Sequence, residues 1–186
     1  AHFHAMELQL MMTKERVPYH LTSGVRFFEQ AHIKDVCSAL RILVFPEDGL
    51  SFHRLMELLP GVGPGKAARI WQAMGGAFRP GISDCLRAIR AQLKGESAQI
   101  WTALEAIFKA YEEEGLREDP GEVIYRFTEA FYLRYLADTF QDHERREEDI
   151  REMILYMADF DSAEEFLSDI ALLTNLDAEQ EQLGAK

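Results

Sequence analysis

The stretch LLPGVGPGKAARIWQAM, residues 58–74, limits what this chain can build more than any other segment. Two prolines and three glycines fall within residues 60–65. No helix or strand runs through such a segment, because proline removes a backbone donor and glycine weakens both ladders. Helical periodicity flanks it on both sides, over about 50–59 and 64–74. The spacing therefore predicts a helix, a tight turn and a second helix. Gly61 and Gly63 allow positive φ, Val62 points inward to pin the two helices, Gly63 caps and Pro64 starts the second helix. Ala67 and Ile70 let that helix pack closely.

Two nucleotide cradles fail on this segment. The phosphate loop of NTPases needs GxxxxGK[ST], but Ala67 follows Lys66 and Pro60 stands five positions before Gly65. The dinucleotide fingerprint GxGxxG would need glycine at position 66, and it follows a strand. What remains is a small, bare tip. Its unpaired amides lie at the positive end of a helix dipole, which suits a phosphate oxygen. Lys66 and Arg69 add charge beside it. Gly61, Val62, Gly63, Gly65, Lys66 and Arg69 are thus the candidate contacts to a DNA backbone. Such contacts carry no base-sequence information. The pattern resembles the helix-hairpin-helix motif of DNA repair and recombination proteins. The alternative is a glycine turn that only joins two core helices.

A net charge of −12 argues against a nucleic-acid binder until its distribution is read. Residues 61–94 hold six basic side chains (Lys66, Arg69, Arg79, Arg87, Arg90, Lys94) against Asp84 alone. Residues 111–186 hold 7 basic against 22 acidic. Charges separated by more than about 8–10 Å are largely screened, so a local basic island can meet phosphate while the acidic half stays off it.

The rest of the chain reads as helices. They are expected over about 1–16, 29–44 (ended by Pro46), 50–59 (capped by Asp48), 64–74, 83–93 (Ser83 as cap), from Ser97 as cap through a face of Ile100, Trp101, Leu104, Ile107, Phe108 and Tyr111, 120–140 behind Asp119-Pro120, 142–158, and 162–173 behind an Asp161/Glu164 capping box. One short strand is expected at residues 19–22. A lone strand cannot satisfy its own ladder, so the N-terminal piece looks borrowed from a sheet whose other strands lie elsewhere. Trp71 and Trp101 fit the core by spacing. HERREEDIREM reads as a solvated, charged helix face. Cys37 and Cys85 form no CxxC and read as buried thiols, and the histidines form no metal motif. Acidic pairs such as Glu112–Glu114 and Glu147–Glu148 have nothing to place them in a pocket, so no catalytic residue and no metal is assigned. No apolar run approaches the roughly 18 residues of a membrane span, and no leader pattern opens the chain. A cytoplasmic protein with no membrane partner is the expectation.

A second stretch carries a family resemblance. VPYHLTSGVRFFEQAHIKDVCSALRILVFPEDGLSFHRLM, residues 17–56, resembles the run that follows motif IV in UvrD/PcrA/Rep-type DNA helicases of superfamily 1. The matching positions are Pro18, Tyr19, Gly24, Arg26, Phe27, Phe28, Glu29, Ile33, Lys34, Asp35, Leu40 and Arg41. Ser23 stands where the first of two glycines is usual. The end of the chain, from His143 to Asp177, is similar to the close of subdomain 2B in the same family. Walker A, DExx, motif V and motif VI signatures are absent.

The resemblance implies a mainly α fold: a helical subdomain 2B over 46–175 containing the helix-hairpin-helix. It also implies an N-terminal remnant of the α/β RecA-like motor lobe, helix plus short strand, over 1–45, and a returning linker over 176–186. It implies a parent 3′-to-5′ DNA helicase that needs ATP and magnesium, neither held by this chain. Gly61, Val62 and Gly63 match the duplex-touching turn of 2B. The implied partners are duplex DNA at a single-/double-strand junction and the parent's remaining motor domains. Hinge candidates fall at 46–49 and 174–176. Arg26, Lys34 and Arg41 are candidates for single-strand contact, with surface pairing of Lys34 and Arg41 to Asp35 or Glu29 as the alternative. Two other readings stay open: a stand-alone helix-hairpin-helix DNA-binding protein, and an acidic helical module that docks a protein partner.

Overall fold

Nine α-helices account for most of the residues that the computed structural model describes, which are 11–12, 15, 17, 27–113 and 115–172. They are α1 (Ala31–Val44), α2 (Gly49–Glu57), α3 (Pro64–Ala73), α4 (Ser83–Arg90), α5 (Glu96–Glu113), α6 (Pro120–Phe127), α7 (Leu133–Thr139), α8 (His143–Met157) and α9 (163–172). Short 3-10 turns cover Phe27–Glu29 and Leu116–Glu118, and a π-helical turn covers Thr128–Tyr132. No strand occurs among the described residues. The expected strand at 19–22, most of the expected first helix and the 174–176 hinge lie outside them.

Helix α1 is central. It packs on α2, α6 and α8, and Ile33, Val36, Ala39 and Leu40 are fully buried along it. The core is continuous from Ile33 to Leu167. Burying one such aliphatic side chain contributes roughly 1.5–3 kcal/mol.

An aromatic cluster underlies the α2–α3 pair. Phe52 of α2 lies 5.0 Å from Trp71 of α3 and 6.3 Å from Phe78. Phe78 in turn meets Phe108 at 5.3 Å and Trp101 at 6.2 Å, both on α5. The Phe78 amide donates to the Pro46 carbonyl at 2.7 Å, tying the loop after α3 to the turn before α2. Gly49 is a close approach: a Cβ there would sit 3.2 Å from the Trp71 ring.

Several helix ends differ from expectation by a residue or a partner. Ser83 is the first helical residue of α4 and Ile82 precedes it without a side-chain cap. Ser97 lies inside α5, where its hydroxyl donates to the Lys94 carbonyl at 2.9 Å. At α9 the capping box is shifted by one position. The Glu165 amide donates to Ser162 Oγ at 3.1 Å, and the Asp161 amide donates to Glu165 Oε2 at 3.1 Å. The expected helix over 120–140 is helical from Pro120 to Thr139, with a π turn set into it at Thr128–Tyr132.

The α8 face is not wholly solvated. Asp149 is buried and takes a hydrogen bond from His32 Nε2 at 3.1 Å, while His32 Nδ1 lies 3.1 Å from Arg146 Nη1. Guanidinium can only donate, so Nδ1 is the acceptor and Nε2–H the donor.

Candidate nucleic-acid interface

The tip of the α2–α3 turn is open. Gly61, Gly63, Pro64, Gly65 and Arg69 are exposed, and Lys66 is half-buried. Val62 alone turns inward, at 5% exposure, and its amide donates to the Leu59 carbonyl at 3.0 Å. That inward valine closes the turn onto the core that Ala67 and Ile70 also enter, both fully buried.

The glycines play different parts. Gly61 adopts φ 69°, the left-handed region that disfavours other residues. Gly63 does not: it is extended at φ −102°, ψ 178°, and serves as N-cap of α3 with Pro64 next. A Cβ built on Gly61, Gly63 or Gly65 meets nothing within 4 Å. At positions 63 and 65 the protein's own packing therefore has no need of glycine, and the missing side chains leave bare backbone toward solvent. The amides of Gly61, Gly63 and Gly65 donate to no other described residue. Lys66 and Ala67 amides both reach the Gly63 carbonyl at 3.0 Å, closing the first turn of α3.

The basic island is smaller in space than in sequence. Arg90 is committed to Glu105, with Nε to Oε2 at 2.6 Å, and Lys109 joins the same carboxylate at 3.0 Å. Glu105 is buried, which alone would raise its pKa, yet the hydrogen bonds from Arg90 and Lys109 hold it below the ordinary range. Arg87 pairs with Asp84, and Arg79 lies 3.7 Å from Glu47. Lys66, Arg69 and Lys94 make no ion pair with a described residue. Lys66 and Arg69, in the first two turns of α3, are thus the uncommitted cations of the island that stand beside the turn.

The second set is arranged differently. Arg26 lies outside the described residues. Lys34 is exposed on α1 with no ion pair to a described residue. Arg41 Nε donates to Asp48 Oδ2 at 2.9 Å and to Ser51 Oγ at 3.1 Å, and its guanidinium covers the Phe45 ring at 5.5 Å. Its partner is Asp48, not Asp35 or Glu29. Asp35 is instead buried and held by Arg54 Nε at 2.6 Å. Arg41 therefore braces the α1–α2 corner.

Among the described residues no group of three or more His, Cys, Asp or Glu side chains could hold a metal ion, and no helix is long and apolar enough to cross a membrane. Of the acidic pairs, Glu112 binds Arg117 at 2.7 Å and Glu147 pairs with Arg151.

No family model matches the chain. It is 25% identical over 189 residues to the ATP-dependent DNA helicase PcrA of Bacillus subtilis (strain 168), covering 94% of this chain and 25% of that protein. It is 23% identical over 198 residues to the helicase of the same name from Staphylococcus aureus (strain Mu50 / ATCC 700699), covering 95% and 26%. A shorter match, 34% over 50 residues, covers 27% of this chain and 6% of the ATP-dependent DNA helicase UvrD1 of Mycobacterium bovis (strain ATCC BAA-935 / AF2122/97). The chain spans about a quarter of the length of the PcrA relatives it matches along most of its own length. These similarities relate it to the superfamily 1 helicases of the PcrA/UvrD kind.

Proposed function

We propose that this chain is the duplex-engaging and regulatory region of an ATP-dependent 3′-to-5′ DNA helicase that serves DNA unwinding and repair. In this reading residues 1–45 belong to motor subdomain 2A, 46–175 form subdomain 2B, and 176–186 lead back toward 2A. The α2–α3 turn acts as a helix-hairpin-helix grip. The amides of Gly61, Gly63 and Gly65 donate to phosphate oxygens of the duplex ahead of a single-/double-strand junction, and Lys66 and Arg69 supply charge. ATP and magnesium belong to motor parts outside this chain, which hydrolyses no ATP by itself. Pro46 to Gly49 is one hinge about which the helical region swings.

The observation that carries this reading is the bare tip: three free amides, open space where side chains would stand, and two uncommitted cations beside them. A turn that only joined core helices would have no use for side-chain-free backbone at positions 63 and 65, where φ is ordinary and space is available.

Fluorescence anisotropy on a duplex with a 3′ single-stranded tail, across a salt series, tests it. The expected result is weak, sequence-indifferent binding, with Kd of about 10⁻⁴ to 10⁻⁶ M that weakens with salt. Absence of binding at low salt, or ATP turnover that survives repurification, contradicts it.

A further inference from the structure

Next to the DNA-facing turn, the residues from Leu58 to Gly63 also form one wall of a groove of about 690 Å³. Ile100 of α5, Phe131 of the π turn and Tyr135 of α7 contribute its apolar surface. That volume suits one or two bulky side chains.

The charge on this groove is one-sided. Glu57, Glu96, Glu129 and Asp138 line it against a single cation, Arg134. Arg134 is already engaged, 3.1 Å from Glu96 and 3.6 Å from Asp138. Glu57 and Glu129 are exposed and make no ion pair with a described residue. The wall that carries Glu129 is also fixed. The π turn leaves Glu129 and Ala130 exposed, while Phe131 and Tyr132 are buried and the Tyr132 hydroxyl donates to Asp35 at 2.7 Å.

These features select the occupant by chemistry. Two uncommitted carboxylates inside the groove repel a phosphate backbone, so nucleic acid is not its occupant. A purely apolar ligand would leave both carboxylates unmatched. A peptide with an apolar side chain flanked by lysines or arginines satisfies floor and rim together. We propose that this groove docks a short basic segment of a partner protein. Its apolar side chain seats against Ile100 and Tyr135, and its flanking cations meet Glu57 and Glu129. The proposal stands independently of the DNA reading.

The test uses the full chain with methyl-labelled isoleucine and alanine. The probe is a synthetic peptide bearing one tryptophan between two pairs of lysines; its counterpart carries glutamates in their place. The expected result is saturable shifts at the Ile100 and Ala130 methyls with the lysine peptide only. Affinity should fall roughly five-fold in Glu57→Gln/Glu129→Gln, since each exposed pair is worth roughly 0.2–1 kcal/mol. Ala130→Trp, which fills the groove from an exposed position, should weaken binding as well. Glu144→Gln/Glu148→Gln, on the exposed side of α8, should leave it unchanged. Circular dichroism melts confirm that each variant folds. Silent groove methyls, or equal losses in both glutamine pairs, overturn the proposal. Groove shifts that depend on protein concentration without peptide also overturn it, in favour of a second copy as occupant.

Discussion

Asp35 and Tyr132 are 97 positions apart in sequence, and the tyrosine hydroxyl donates to Asp35 Oδ2 at 2.7 Å. The other carboxylate oxygen takes Arg54 Nε at 2.6 Å. One buried carboxylate therefore fastens α1, α2 and the π turn. Burial, and then the Asp35 charge, push the Tyr132 phenol far up, so it remains a donor at any working pH. Tyr132→Phe removes one bond to a charged group, worth about 1.5–3 kcal/mol. Urea unfolding should show that loss of stability, and Arg54→Ala should show a loss that is not additive with it.

The turn glycines separate fold from binding. Gly61→Ala forces a side chain into φ 69° and should cost about 1–2 kcal/mol of stability. Gly63→Leu meets open space at ordinary φ, so its melting should stay within about 0.5 kcal/mol of the parent while duplex affinity drops. Lys66→Glu should also leave the fold intact and reduce the salt slope of DNA binding by about one.

Acid should loosen the molecule at two corners. Glu105 and Asp48 are both held below the ordinary carboxylate range. Burial opposes this in each case; Arg90 and Lys109 prevail at Glu105, and Ser51 and Arg41 prevail at Asp48. A depressed folded pKa gives stability that is present above the unfolded values of about 4 and is lost as pH falls through the folded ones. Stability measured between pH 7 and 3 should fall on the acid side. Glu105→Gln should lower stability at pH 7 and flatten that fall.

Burial drives the Cys37 thiol up to about 12, and Cys85 is raised by the same cause. Neither supplies thiolate near neutrality. A thiol reagent such as dithionitrobenzoate should react slowly with the folded chain and at once in denaturant. Fast labelling of Cys37 in the folded state would contradict the packing of α1 against α8, where its sulfur sits 3.7 Å from Met153 Sδ.

Local chemistry was legible in the sequence where it is self-contained. Asp48 accepts from the Ser51 amide at 3.0 Å, Asp119 accepts from the Glu122 amide at 2.9 Å, and Gly63-Pro64 opens α3, each within a few residues. The α5 face also followed from spacing, with Trp101, Leu104 and Phe108 buried. The π turn leaves no mark in the sequence because Phe127, Phe131, Tyr132 and Leu136 also fit a regular α-helix. The partners of Asp35, Asp149 and Glu105 come from other helices, and a linear pattern holds no trace of them. For the same reason the basic island looked larger than it is: Arg79, Arg87 and Arg90 are paired in the fold. Nor does any motif mark the acidic groove, since the turn, α5 and α7 meet there only in space.

We propose above all that bare amides at the α2–α3 turn meet the sugar-phosphate backbone. Amide-resolved NMR of the chain, titrated with a short duplex bearing a 3′ tail, reads those contacts one by one. The largest shifts should fall on the amides of Gly61, Gly63, Gly65 and Lys66 and fade as salt is raised. Shifts that spare those four and gather elsewhere, on α1 around Lys34 or along α8, would contradict it.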